Sequence, residues 1–190
     1  MADLRIAIAT GGLYLNRRHF GRAPGLAGWF SCDKRKQFEM SADLCPAHGV
    51  GALQIGSPNI LSMAALDGSL RLLHEAQLDR LRHKSLSLSK FLMEMSDARL
   101  ARFGFSIASP REDHRRGGHV ALVHRDAPRI CKALRQAGVI PDFRPPNIVR
   151  LAPMAMYNTF GECVEAVKII EAMMESRSYE SVSMEADFVT

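Results

Sequence analysis

Few side chains among the 190 residues are placed to do chemistry, and the first is an arginine inside an apolar strand. Residues 142–158 read "DFRPPNIVRLAPMAMYN", and Arg150 sits between Val149 and Leu151. Two readings of Arg150 stand side by side. An edge-strand arginine lays its stem along apolar surface and sends its head to water. Alternatively, its planar two-pronged donor, charged at any working pH, holds a ligand carboxylate. A second candidate is "GSPN" at 56–59, ahead of a helical pattern. There Ser57 is the expected N-cap and Pro58 the first helical residue. A helix start of this kind caps itself or binds an anion through its free N–H groups and positive dipole end. The third is Trp29, the one tryptophan, in "GWFSC" at 28–32. It either packs in the core or reaches a polar ligand group through its indole N–H.

Nothing in the sequence marks a nucleophile. "ATGGLYL" lacks the spacing of a phosphate-binding glycine loop, and no serine or cysteine has a histidine and acid at motif spacing. His119, on a strand after two glycines, reads as a structural residue. Cysteines 32, 45, 131 and 163 form no C-x-x-C pair and have no histidine at zinc spacing. They are expected to be reduced thiols, with no metal site.

The elements that would position these groups follow from hydrophobic period. Residues 4–15 predict a strand, a Gly-Gly break and a second apolar run, and 16–56 predict a long irregular connector of the kind that carries function. A helix follows, with Ile60, Leu61, Ala64, Ala65, Leu70 and Leu73 in register and Gly68 tolerated. A second helix at about 77–98 aligns Leu78, Leu81, Leu88, Phe91, Leu92 and Met95. Strands are expected in "FGFSIASP" and "GGHVALVHR", then a helix in "DAPRICKALRQAGV" with Asp126 as cap and Gly138 as stop. "IPDFR" and "IVRLAP" predict two short strands across a Pro-Pro break. A last helix is capped by Thr159 and turns Val164, Val167, Ile170 and Met174 inward. The tail from residue 178 shows no period and is expected to fray. Residues 100–177 therefore read β-β-α-β-β-α, a small sheet with two helices on one face.

With 47% apolar and 24% charged residues the composition is that of a globular protein. No apolar run is long enough to span a membrane, the N-terminus makes a poor signal peptide, and the expected compartment is the cytoplasm. The formal charge of +5 is scattered over Arg17-Arg18, "DKRK", "RLRHK" and "REDHRR". These read as solvated faces without interleaved aromatics, which argues against a nucleic-acid partner.

The ordered motifs "GLYLNRRHF", "PGLAGWF", "FEM", "GSPNIL", "LRHKS", "GVIPDFRPPNIVRLAP" and "MYNTF" resemble kynureninase over residues 11–174. The resemblance implies an α/β chain holding the C-terminal small domain of a fold type I pyridoxal-phosphate enzyme. Residues 1–56 would be the end of the large domain with an interface loop, 57–98 long connecting helices, 99–177 the small domain and 178–190 a tail. It implies hydrolysis of L-kynurenine, or its 3-hydroxy form, to anthranilate, or its 3-hydroxy form, and L-alanine, in a homodimer with cofactor sites at the subunit interface. Arg150 matches the arginine that holds the substrate's α-carboxylate. Trp29 and Ser57 match positions that contact the cofactor phosphate from the neighbouring subunit, Ser57 standing where the family carries Asn or Thr.

The departures bear on chemistry. The family holds its cofactor on the lysine of a Y-K-Y-L-N motif just before the stretch matching "GGLYLN". Here "MADLRIAIAT" contains no lysine, and the six lysines, at 34, 36, 84, 90, 132 and 168, lie downstream. The family's "GWFGH" appears as "GWFSC". These residues alone are therefore expected to be inactive: no residue is catalytic, and they await a separate N-terminal half. The alternative is a non-catalytic remnant or binding module. Either way, apolar surface is expected to lie bare where a large domain would pack.

Overall fold

Short apolar runs alternating with helical periodicity build a four-stranded antiparallel sheet with helices packed against it. The structure is a computed structural model and describes residues 12–183. The strand expected from residue 4 lies outside the described residues as far as residue 11, and 12–16 form no regular element. The helices are α1 (Ile60–Ala76), α2 (Leu78–Leu100), α3 (Ala127–Gln136) and α4 (Phe160–Ser176). The strands are β1 (Ser106–Ile107), β2 (Val120–Val123), β3 (Asp142–Arg144) and β4 (Ile148–Leu151). The chain divides into two compact units, Met1–Glu75 and Ala76–Thr190.

The second unit holds the sheet, in the order β1-β2-β4-β3 with every neighbouring pair antiparallel. Register pairs Val120 with Leu151 and Leu122 with Val149, so these four share one face, and all are buried. Against that face lie Leu88, Leu92 and Leu100 of α2, Ile130 and Leu134 of α3, and Val167 and Ile170 of α4. Each contributes about 1.5–3 kcal/mol by leaving water. The α/β class is as expected. α2 adds its second half to this core, while Leu78 at its start is exposed.

Helix ends show which local signals act. The α4 start is a capping box: the Glu162 N–H donates to Thr159 Oγ1 at 3.2 Å, and the Thr159 N–H donates to Glu162 Oε2 at 2.7 Å. Gly138 lies beyond α3 with φ of 85°, the left-handed stop that glycine adopts without strain. Two expected caps are corrected. α1 starts at Ile60, and the acceptor for the Ser62 N–H is Asn59 Oδ1 at 3.1 Å, so Asn59 and not Ser57 caps it. Asp126 makes no side-chain cap; its carboxylate pairs with Arg125, and its N–H donates to His124 Nδ1 at 3.0 Å.

Two further expectations fail for reasons of packing. Arg116, read as part of a solvated basic run, is 5% exposed. Its guanidinium donates to Ser89 Oγ at 3.1 Å, Arg111 O at 2.5 Å and Leu86 O at 3.3 Å, fastening the 111–118 loop to α2. The tail is ordered as far as it is described: Ser178–Ser181 form a 3-10 turn with Tyr179 buried in the core.

His124 ties several of these pieces together. It is buried, lies 4.6 Å from Phe105 between ring centroids, and meets Tyr179 edge-on at 6.5 Å. Because Nδ1 accepts from Asp126, Nε2 carries the proton and donates to Phe103 O at 3.1 Å. Burial lowers its pKa below the ordinary 6.5, against the opposing pull of the Phe103 hydrogen bond and Asp126. The folded chain thus binds this proton less readily than the unfolded chain. Stability is therefore full above about pH 6.5 and falls as pH drops through that value. Urea unfolding at pH 7.5 and 5.5 checks this. The midpoint should fall at the lower pH, and by less in His124→Gln; an equal fall in both would refute it.

The first unit is mostly irregular, as its composition predicts. It contains 3-10 turns at Arg17–His19, Trp29–Ser31 and Gly49–Leu53 and a bridge between Cys32 and Pro46. Gly28 is required here, because a Cβ would stand 2.1 Å from the Ile55 carbonyl oxygen. On α1, Ile60, Leu61, Met63, Leu70 and Leu72 are exposed, and Ser62 is the buried residue.

Candidate functional site

Arg150 lies in the second unit, on the sheet face opposite the core. Its register partners are Ala121 on β2 and Asp142 on β3. Period-2 alternation brings Arg144, two residues along β3, to the same side as Asp142. Asp142 Oδ2 accepts from Arg150 and from Arg144 Nε at 3.1 Å, and a terminal nitrogen of Arg144 lies 2.9 Å from the same oxygen as an ion pair. Asp142 and Arg150 are half-buried, 31% and 32% exposed, and Arg144 is exposed at 47%. Arg150 therefore neither lies in the core nor trails into solvent. It is pinned by one edge of its guanidinium, and Asp142 is the only group it hydrogen-bonds through its side chain among the described residues. Two guanidiniums share one carboxylate, so the cluster carries one excess positive charge. It suits a planar anion such as a carboxylate.

Trp29 and Ser57 lie in the first unit. Trp29 is 58% exposed, which removes the reading that it packs in the core. Its indole N–H donates to Gln37 O at 2.9 Å, and its ring meets Phe38 edge-on at 5.5 Å. It borders a cleft of about 540 Å³ lined also by Gly28, Lys36, Met40 and Leu44. Ser31 is buried with its hydroxyl donated to Gln54 O at 2.9 Å. Ser57 is exposed, two residues ahead of the Asn59 cap. His119 is exposed. Cys131 and Cys163 are core thiols, and burial pushes Cys131 up to about 12, which makes it inert as a nucleophile.

Residues 81–170 match the family model described as the kynureninase C-terminal domain. The chain is 49% identical over 178 residues to the kynureninase of Geobacillus thermodenitrificans, and equally so to that of Bacillus anthracis. The chain carries a kynureninase C-terminal domain. Each alignment covers 94% of this chain and 42% of the relative, so the chain spans less than half the length of the curated relatives it matches. Among solved structures it resembles the apo cysteine desulfurase of Thermococcus onnurineus NA1, with a TM-score of 0.59 and 18% identity. That match covers 80% of this chain and 40% of the other, and it shows likeness of fold.

The matched family implies pyridoxal phosphate, and the residues of this chain do not fit its covalent attachment. A lysine that forms a Schiff base sits where burial or a neighbouring cation makes its amine nucleophilic. None of the six lysines is buried. Lys34 is exposed over Phe30, and Lys90 is exposed beside Glu94. The Trp29 N–H is already donated within its own loop.

Reading the sequence missed Asp142 and Arg144 as site members, although both stand in the opening motif. The usable signal was D-x-R on one strand, joined by a short Pro-Pro turn to an arginine on the next. That spacing puts all three side chains on one face once the register is known.

Proposed function

We propose that these residues are the C-terminal part of a kynureninase, supplying the arginine that holds the substrate's α-carboxylate but not the lysine that holds the cofactor. The observation that carries this is Arg150, pinned by Asp142 on the sheet face away from the core, in a cluster with one positive charge to spare. The family reaction is hydrolysis of L-kynurenine, or its 3-hydroxy form, to anthranilate, or its 3-hydroxy form, and L-alanine. In it Arg150 binds and orients the substrate; no side chain described above is placed to move a proton. Trp29 and Ser57 are the proposed phosphate contacts across a homodimer interface, Trp29 after releasing Gln37. Residues 1–56 are proposed as the end of the large domain, 57–98 as connecting helices, 99–177 as the small domain and 178–190 as a tail. Turnover then requires an N-terminal half that these 190 residues do not contain. Bare apolar residues on α1 support a surface built to be covered. The proposed compartment is the cytoplasm.

The test is complementation. The chain is co-expressed with the portion of the Geobacillus thermodenitrificans relative that it does not span. Anthranilate release should appear, and Arg150→Ala should lower kcat/KM about a hundredfold, the size expected from losing two charge-assisted hydrogen bonds. Undiminished turnover in the variant would remove Arg150 from the reaction.

A further inference from the structure

The β3–β4 hairpin does more than present Arg150. Asp142 and Arg150 are register partners, and by themselves they would form a neutral pair. An incoming carboxylate would then meet the Asp142 charge beside the guanidinium it needs. Arg144 alters that balance, since its Nε donates to the same Oδ2 at 3.1 Å and a terminal nitrogen pairs with it at 2.9 Å. The aspartate is thereby shared, and Arg150 keeps net positive charge and a free guanidinium edge. We infer that Arg144 is a positioning residue for the carboxylate site: it occupies Asp142 so that Arg150 remains available to a ligand. This rests on the reading of Arg150 as a carboxylate clamp. It adds a role for two residues that touch no substrate, and it makes the cluster's net charge the controlling quantity.

Arg144→Gln takes the cluster from +1 to neutral, because Arg150 alone then balances the Asp142 charge. Carboxylate binding should weaken roughly threefold to tenfold, the effect of one charge at close range in a half-exposed site. Arg144→Lys keeps the charge and should keep most of the affinity. Adding Asp142→Asn to Arg144→Gln returns the cluster to +1, and the asparagine oxygen can still accept from Arg150. The double variant should therefore bind better than the single one, recovering the wild-type value. A residue with only a structural role would show the reverse, because a second lesion in the same hairpin adds damage.

The measurement uses the full chain and sodium acetate as probe, at constant ionic strength made up with chloride. The readout is the Arg150 side-chain Nε–H resonance in nitrogen–proton correlation spectra, assigned by its loss in Arg150→Lys. The expected result is a saturable shift in the wild type, a higher half-saturation point in Arg144→Gln, and restoration in the double variant. If acetate leaves the wild-type Arg150 resonance unmoved, the clamp reading falls and this inference with it. If Arg150 responds but Arg144→Gln binds as the wild type does, or the double variant fails to recover, the inference alone is overturned.

Discussion

Incubated with pyridoxal phosphate and L-kynurenine, these 190 residues alone release no anthranilate above the rate in buffer. The expectation follows from where the difficult chemistry resides. The cofactor supplies the electron sink, and the protein must supply an activated lysine to carry it and orientation to direct it. The only lysines are those at 34, 36, 84, 90, 132 and 168, and none is buried. Exposed lysines form Schiff bases with free pyridoxal phosphate, but without a held ring or a placed base they do not select a reaction. The carboxylate clamp does not compensate. Binding substrate without stabilising its transition state leaves the rate unchanged. Anthranilate fluorescence followed over hours checks this, and steady release proportional to protein concentration would be inconsistent with it.

The largest expected effect on folding comes from Arg116, a residue far from the clamp. Arg116→Ala should destabilise the second unit by on the order of 3 kcal/mol, because the carbonyls of Arg111 and Leu86 lose their charged donor. The exposed Asp113, which also pairs with Arg116, adds little. Arg82 reinforces the same loop, donating to Asp113 O at 2.7 Å and to Arg116 O at 3.0 Å. Gly118 lies close alongside, where a Cβ would come within 2.9 Å of the rotatable Ser85 hydroxyl. Arg116→Lys should recover only part of the loss, because a point charge cannot satisfy three separate acceptors in that geometry. Urea unfolding followed by far-ultraviolet circular dichroism is the suitable probe. Trp29 lies in the other unit, so its fluorescence does not report this one. A change within about 0.5 kcal/mol, normal for a surface substitution, would mean that Arg116 is not a latch.

These two residues show what kind of information the sequence held. Local grammar was legible: the Thr159-to-Glu162 capping box, the Gly138 stop and the apolar periods of α2, α3 and α4 all produced the elements they predict. Arg150 stood out because a charge in an apolar strand breaks the local rule. What could not be read was anything that depends on register or on tertiary burial. The Asp142–Arg150 pairing exists only because the Pro145–Pro146 turn sets β3 against β4 in one register. Arg116 looks like any arginine in a basic run until the loop folds onto α2. Tyr179 follows the last periodic helix in a stretch with no pattern, yet it packs against His124. Asn59 took the cap from Ser57 because the helix began two residues later than the Ser-Pro signal suggested.

The most direct measurement is anthranilate release from L-kynurenine by three preparations: this chain, the complementary portion of the Geobacillus thermodenitrificans relative, and the two co-expressed. Release is expected from the pair alone, lowered about a hundredfold when this chain carries Arg150→Ala. Release by this chain without the complementary portion, or a pair indifferent to Arg150, would contradict it.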